Sequence, residues 1–414
     1  MERFISFVGL LVFIGIAFLL SKKPSKVKAR LVITGVLLQI LIGVLILKSQ
    51  LAETFFLYTN IISSKILSFS VAGAEFVFGP LAKFDALQTA FGGQNAFIFA
   101  VSVSTTVIFI GALTAVLYHY GIMQFIINIT GKVMQKVMGT TGPESICCAA
   151  NIFSGMTEAP LVIRPYLHKL TKSEMLAVLT GGLATIAGSV FMIYVKFGIS
   201  AGHLLSASFM SAPAALVIAK IILPETEKAP DVHPDHLKLG NEFKGTNVMD
   251  SACKGAGDGL KLALNIMAML VAVIALIALV NFGLSHIGGW MNIQDLTMQR
   301  ILGYIFAPFA WLMGIPAKDI LPVGQLLGVR TVINEFVAYV DLSKIQAALD
   351  PRSSAIAVYA LCGFANISSI AIQIGGISIL VPEKRAELAK LSLYSLIGGT
   401  LACFMTACVA GMLI

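Results

Sequence analysis

Residues 149–165 read Ala-Ala-Asn-Ile-Phe-Ser-Gly-Met-Thr-Glu-Ala-Pro-Leu-Val-Ile-Arg-Pro, and residues 330–339 read Arg-Thr-Val-Ile-Asn-Glu-Phe-Val-Ala-Tyr. Each stretch sets a carboxylate, Glu158 or Glu335, inside otherwise apolar sequence. A charge at the centre of a bilayer costs about 2.5–3.5 kcal/mol on insertion scales, so a chain that keeps one there faces it toward a cavity, a substrate or an ion. Both stretches also carry a central polar knot, Asn151 to Glu158 and Arg330 to Glu335, between apolar flanks. That pattern suits a re-entrant hairpin, which protein or water must line to satisfy the broken backbone.

The rest of the chain supplies the membrane. Of 414 residues, 57% are hydrophobic and 12% charged, and the mean hydropathy is +0.89. This is the composition of an integral membrane protein. Runs near the spanning length of about 20 residues fall at Phe4–Leu20, Leu31–Leu47, Ala96–Tyr118, Leu176–Val195, Leu204–Leu223, Leu260–Asn281, Ala355–Leu380 and Leu388–Leu413, predicting eight transmembrane helices. The first run has a weak basic leader and no small-residue cleavage site before Ser21-Lys22-Lys23, so it is expected to stay as a helix. The cluster Lys22, Lys23, Lys26, Lys28 and Arg30 assigns the following loop to the cytoplasm. Counting from there, Lys132, Lys136, Arg164, Lys169, Lys172, the 224–254 loop, Lys384, Arg385 and Lys390 share that side, and both termini lie outside. The net charge of +8 is mostly this orienting loop charge, and no basic patch interleaved with aromatics points to nucleic acid.

Segments at 50–90, 122–138 and 290–313 are apolar but interrupted, and are expected as interfacial helices too polar to cross cleanly. After Glu158 comes Leu-Ala-Thr-Ile-Ala-Gly-Ser (183–189), and after Glu335 comes Phe-Ala-Asn-Ile-Ser-Ser-Ile (364–370). These small, polar stretches begin their Ala-(Thr/Asn)-Ile cores 26 and 30 residues after their glutamates. They read as locally unwound helices of an internal repeat. By parity one hairpin opens to the cytoplasm and the other to the outside, so the repeat is inverted, as in secondary transporters with midplane sites. Taken singly, these stretches would be small-residue helix packing; together with the glutamates and with Asn151, Asn334 and Asn366, they indicate a site. The expected organisation is 1–138 (N-terminal and interfacial helices, scaffold), 139–223 (first hairpin and following helices), 224–254 (cytoplasmic loop), 255–317 (scaffold and interfacial helix) and 318–414 (second hairpin and following helices).

Several functions are excluded. Gly131-Lys132 lacks the upstream glycine of a phosphate loop and is followed by valine, so ATP does not drive the protein, and no His-Glu-x-x-His occurs. His233 and His236 read as part of a solvated linker more readily than as metal ligands. The six cysteines, Cys147, Cys148, Cys253, Cys362, Cys403 and Cys408, have no CxxC spacing and read as small buried hydrophobes.

At residues 149–165, at Gly-Gly-Leu-Ala-Thr-Ile-Ala-Gly-Ser-Val (181–190), at Asn-Glu-Phe-Val-Ala-Tyr (334–339) and at Cys-Gly-Phe-Ala-Asn-Ile-Ser-Ser-Ile-Ala-Ile (362–372), the chain resembles the concentrative nucleoside transporters. The likeness covers nearly the whole length, including Pro-Glu-Thr-Glu-Lys at 224–228. It implies a homotrimer whose subunits each hold eight helices, two re-entrant hairpins and three interfacial helices. Carried onto this chain, it places Gly155, Met156, Thr157 and Glu158 toward the nucleobase and packs the base on Val190 and Leu262. It gives the ribose hydroxyls to Glu335, Asn366 and Ser369, with Phe364 beside them. It assigns sodium to the side chains of Asn151 and Thr185 and the carbonyls of Ser154 and Ile186. Thr185 stands for the usual Ser, and Met156 for the usual Gln, which replaces an amide by a thioether and puts base selectivity in question.

The function expected is therefore sodium-driven import of nucleosides across a bacterial inner membrane, with no covalent chemistry and no cofactor besides the coupling ion. The rivals are a proton-coupled carrier using Glu158 or Glu335, a gated channel, and, weakest, a membrane enzyme with the two glutamates as acid and base.

Overall fold

The computed structural model describes residues 1–49, 51–92, 97–227, 245–291, 293 and 295–414; His233 and His236 lie outside them. Among the described residues the regular structure is entirely helical. In chain order the α-helices are α1 (Glu2–Leu19), α2 (Ala29–Leu47), α3 (Leu51–Phe78), α4 (Phe84–Phe91), α5 (Phe99–His119), α6 (Ile122–Met138), α7 (Gly142–Ala150), α8 (Ala159–Val162) and α9 (Lys172–Ala184). They continue as α10 (Gly188–Lys196), α11 (Ala201–Ile222), α12 (Val248–Trp290), α13 (Met298–Leu312), α14 (Ile320–Val332), α15 (Glu335–Ile345), α16 (Pro351–Leu361), α17 (Ile367–Leu380) and α18 (Arg385–Leu413).

Among the described residues eight helical stretches are long and apolar enough to cross a membrane, but the set differs from the expected one. Residues 52–91 qualify by length and hydropathy, against the expectation of an interfacial segment. Three polar residues of α3 are absorbed locally: Ser68 and Ser70 donate to the carbonyls of Lys65 and Leu67 at 2.7 and 2.8 Å, and the Lys65 ammonium lies over the Phe69 ring. The apolar run 355–380, by contrast, is two helices, α16 and α17, broken at 362–366. The same break separates α9 from α10 at 185–187. Both breaks fall on the small, polar stretches of the repeat. The α6 helix buries Met123, Ile127, Gly131, Met134 and Met138 along one face, as an interfacial helix does.

Burial sorts the helices into two layers. The stretches containing α9–α10, α11 and α18 are mostly enclosed by protein, while those containing α1, α2, α3 and α12 bury only a minor share of their residues and leave faces exposed. Leu41, Ile61, Phe69, Val271, Ile274 and Phe282 lie on those exposed faces, a surface suited to lipid. Helices α5 and α12 meet almost backbone to backbone: a Cβ on Gly255 would fall 2.3 Å from Gly111 O, and one on Gly259 2.7 Å from Val107 O. Gly255 and Gly259 thus form a small-xxx-small seam.

The contacts at the two ends of the molecule fix the sense of the hairpins. At one end Lys22 N donates to Ile222 O at 2.9 Å, the Lys22 ammonium covers the Tyr394 ring, Lys220 pairs with Glu144 at 2.7 Å, and Lys384 donates to Leu170 O. Lys22 and Lys384, two of the basic positions assigned to the cytoplasm, therefore lie here, at the foot of the first hairpin (α7–α8). At the other end Arg3 donates to Ile414 O at 2.7 Å, Arg352 to Gly411 O at 2.6 Å, and Asp350 N to Asp319 Oδ2 at 2.9 Å. This is the foot of the second hairpin (α14–α15), beside both termini. Helix α18 runs from the first end to the second. The hairpins enter from opposite ends, so the repeat is inverted.

Candidate functional site

Each hairpin tip is shaped by its own sequence. In the first, Thr141 and Glu144 form a capping box that starts α7. The helix stops at Asn151, and Gly155 N donates to Glu158 Oε2 at 3.2 Å, folding the carboxylate back on the turn. In the second, Asn334 caps α15 by accepting from Val337 N at 2.9 Å, which makes Glu335 the first helical residue. The break between α16 and α17 repeats this device: Asn366 accepts from Ser369 N at 2.9 Å. Asn366 also donates through Nδ2 to Glu335 Oε2 at 2.9 Å, while Tyr194 OH donates to Glu335 Oε1 at 3.3 Å. A carboxylate has about four lone-pair sites. Two protein donors thus leave Glu335 with acceptor capacity facing the cavity.

The tips and breaks enclose a cavity of about 480 Å³, within the range of small-molecule sites. All ten residues expected to face substrate line it: Gly155, Met156, Thr157, Glu158, Val190, Leu262, Glu335, Phe364, Asn366 and Ser369. Asn334, which the sequence marks as part of the site, lines it too, as do Ser189, Asn265, Met269 and Ser368, which sequence reasoning missed. Asn265 is the most informative, an amide inside the apolar run of α12, one turn beyond Leu262, and its position in that run was the available signal. Met269 receives the Asn334 amide at 3.5 Å, bringing α12 against the second hairpin. The arrangement brings the polar groups of Glu335, Asn366 and Ser369 and the apolar surface of Val190, Leu262 and Phe364 onto one cavity.

The four residues expected to hold an ion lie behind this cavity. Asn151, Ser154, Thr185 and Ile186 are all at most 1% exposed. Asn151 is the C-cap of α7 and Thr185 that of α9, so both sit at helix ends whose last carbonyls lack helical partners. Gly188 N donates to Phe153 O at 3.0 Å and ties the hairpin tip to the α9–α10 break. Asn151 Oδ1 is buried without a hydrogen-bond partner among the described residues. A neutral amide oxygen left without a donor at the negative C-terminal end of α7 is chemistry that suits a cation. Ser154 Oγ shares a 2.5 Å hydrogen bond with Tyr118 OH of α5. Five cysteines are buried, Cys253 is exposed, and all are free.

Comparison with known proteins bears on the family and the fold. Family models match in three consecutive blocks: Na+ dependent nucleoside transporter N-terminus over residues 8–81, the nucleoside recognition "Gate" model over 100–201, and Na+ dependent nucleoside transporter C-terminus over 203–411. The uncharacterized transporter YutK of Bacillus subtilis is 42% identical over 98% of each chain. Solute carrier family 28 member 3 of Homo sapiens is 40% identical over all of this chain, which spans 60% of that protein. The structure of CNTnw in an inward-facing substrate-bound state superposes with a TM-score of 0.95 at 39% identity, covering 100% of this chain and 98% of that one. A doubly substituted CNTnw in an outward-facing state gives a TM-score of 0.94. Matched along nearly its whole length by these models and relatives, the chain is a multi-pass membrane protein and belongs to the concentrative nucleoside transporter family.

Proposed function

We propose that the protein imports nucleosides in symport with sodium across a bacterial inner membrane, as a homotrimer with one pathway per subunit. The observation that carries this reading is the Glu335–Asn366 pair, hydrogen-bonded at 2.9 Å on the wall of a 480 Å³ cavity that also holds apolar surface. In the binding step Glu335, Asn366 and Ser369 hold the ribose hydroxyls, Gly155 to Glu158 face the base edge, and Val190 and Leu262 sandwich its ring, with Phe364 beside the sugar. Sodium is taken by the side-chain oxygens of Asn151 and Thr185 and the carbonyls of Ser154 and Ile186. The ion then stiffens the first hairpin, whose turn presents the base-reading groups, and this is how ion and substrate are coupled.

The moving body consists of 139–223 and 318–414, and the scaffold of 1–138 and 255–317, with 224–254 as a cytoplasmic loop. The α5–α12 seam and the cavity-facing side of α12 then form the wall against which the hairpins travel.

The reading is tested by calorimetric binding of adenosine, inosine and uridine to the purified protein, with sodium or with choline. Coupling free energies are commonly about 1–3 kcal/mol, so affinity is expected to fall about 5- to 150-fold without sodium. Equal affinity in both salts with a strong dependence on pH would favour the proton-coupled alternative. No nucleoside binding in either salt would overturn the substrate assignment.

A further inference from the structure

Arg330 lies in the last turn of α14, with its side chain 0% exposed. Its Nη2 donates to Cys403 Sγ at 3.4 Å, and its guanidinium stands 5.9 Å from the Phe404 ring centre. Nε and Nη1 have no hydrogen-bond partner among the described residues. No carboxylate lies within ion-pair distance of the guanidinium among the described residues, though its charge acts on Glu335 at the head of α15. A full positive charge held in this way at membrane depth is expensive, and such groups mark functional places.

Its surroundings are negative by another route. Cys403 Sγ reaches Ala184 O at 3.6 Å and Cys362 O at 3.4 Å. Ala184 is the last residue of α9, and Cys362 is the C-cap of α16. Phe364 N donates to Thr185 O at 3.2 Å, so the two broken helices cross at this point. Helix C-termini carry about half a negative charge each. Arg330 thus stands where α9, α14 and α16 all end.

The inverted repeat makes this position meaningful. Helices α7 and α14 are the first arms of their hairpins, and α9 and α16 are the first halves of their broken helices. The oxygens of Asn151 and Thr185 sit at the ends of α7 and α9. The guanidinium sits at the end of α14 and, through Cys403, beside the C-cap of α16, where the second hairpin meets the second broken helix. We infer that Arg330 is a tethered cation that permanently fills the second repeat's counterpart of the ion site, so that each subunit exchanges a single sodium per nucleoside. This rests on the sodium-symport reading above. The arginine is a positioning residue: it holds the second hairpin and the α16–α17 break in the geometry that sodium must be bound to produce in the first repeat.

The test is the ratio of labelled sodium to labelled nucleoside entering proteoliposomes, with the sodium dependence of uptake, for wild type, Arg330→Lys and Arg330→Met. Wild type and Arg330→Lys are expected to give a ratio and a Hill coefficient of about 1, and Arg330→Met to give about 2 in both, as a second ion enters the vacated place. A wild-type ratio of about 2 overturns the inference and leaves sodium symport standing. So does an active Arg330→Met with the wild-type ratio and sodium curve. If Arg330→Met does not fold, the wild-type ratio still decides, and Arg330→Lys should keep it. Sodium-independent uptake by wild type overturns the symport reading and this inference with it.

Discussion

Asn366 links two elements through residues 31 positions apart in sequence: it caps α17 through Oδ1 and holds Glu335 Oε2 through Nδ2 at 2.9 Å. The carboxylate at the head of α15 is thereby oriented by the break of the neighbouring helix, before any ligand arrives. Such preorganisation reduces what binding must spend on ordering.

Glu335→Gln should nearly abolish uptake while the protein still inserts. Hydrogen bonds to a charged group contribute about 1.5–3 kcal/mol each, so losing one costs at least about tenfold in affinity. Binding to the purified variant checks this, and an affinity within about twofold of wild type would rule the role out.

Asn151→Ala and Thr185→Val should each raise the sodium concentration for half-maximal uptake. One lost polar contact of about 1 kcal/mol corresponds to roughly fivefold. Wild-type sodium curves in both variants would show that the ion binds elsewhere.

Met156 is 8% exposed, and its backbone lies so close to Gly182 that a Cβ there would stand 2.8 Å from Met156 Cβ. Met156→Gln should return a donor and an acceptor to the base edge and shift preference toward pyrimidine nucleosides by about two- to tenfold, one hydrogen bond netting about 0.5–1.5 kcal/mol. Competition of uridine, cytidine, adenosine and inosine against one labelled substrate reads the shift. Unchanged ratios would make residue 156 a packing residue only.

At the foot of the first hairpin, Lys220 pairs with Glu144 at 2.7 Å and lies 3.3 Å from Glu225. Both members of the first pair are nearly inaccessible, at 6% and 1% exposure. Lys220→Met should destabilise the protein by about 3–5 kcal/mol, because it leaves a buried carboxylate uncompensated. The thermal midpoint in detergent should fall sharply and recover in part in Lys220→Met/Glu144→Gln. A single variant with the wild-type midpoint would contradict this.

The hairpins and breaks are legible in the sequence because the same residues that end a helix also advertise the site: Asn151, Asn334 and Asn366 are helix caps. Helix limits elsewhere are less legible. Asp258 and Lys261 lower the hydropathy at the start of α12, so the apolar run begins near Leu260. The helix itself begins at Val248, where Asn247 accepts from Asp250 N at 2.8 Å. In α3, Ser68 and Ser70 look like interruptions in sequence, yet their hydroxyls are satisfied by their own helix. Asn265 is not legible, because one amide in an apolar run carries no periodic signal. The isolation of Arg330 depends on how three helix ends converge, which no local pattern encodes.

The most direct measurement is uptake of labelled nucleoside into proteoliposomes under an imposed inward sodium gradient, beside a proton gradient and no gradient. Sodium symport predicts accumulation above the external concentration with the sodium gradient alone. Accumulation driven only by protons, equilibration without accumulation under every condition as in a channel, or no uptake at all would contradict it.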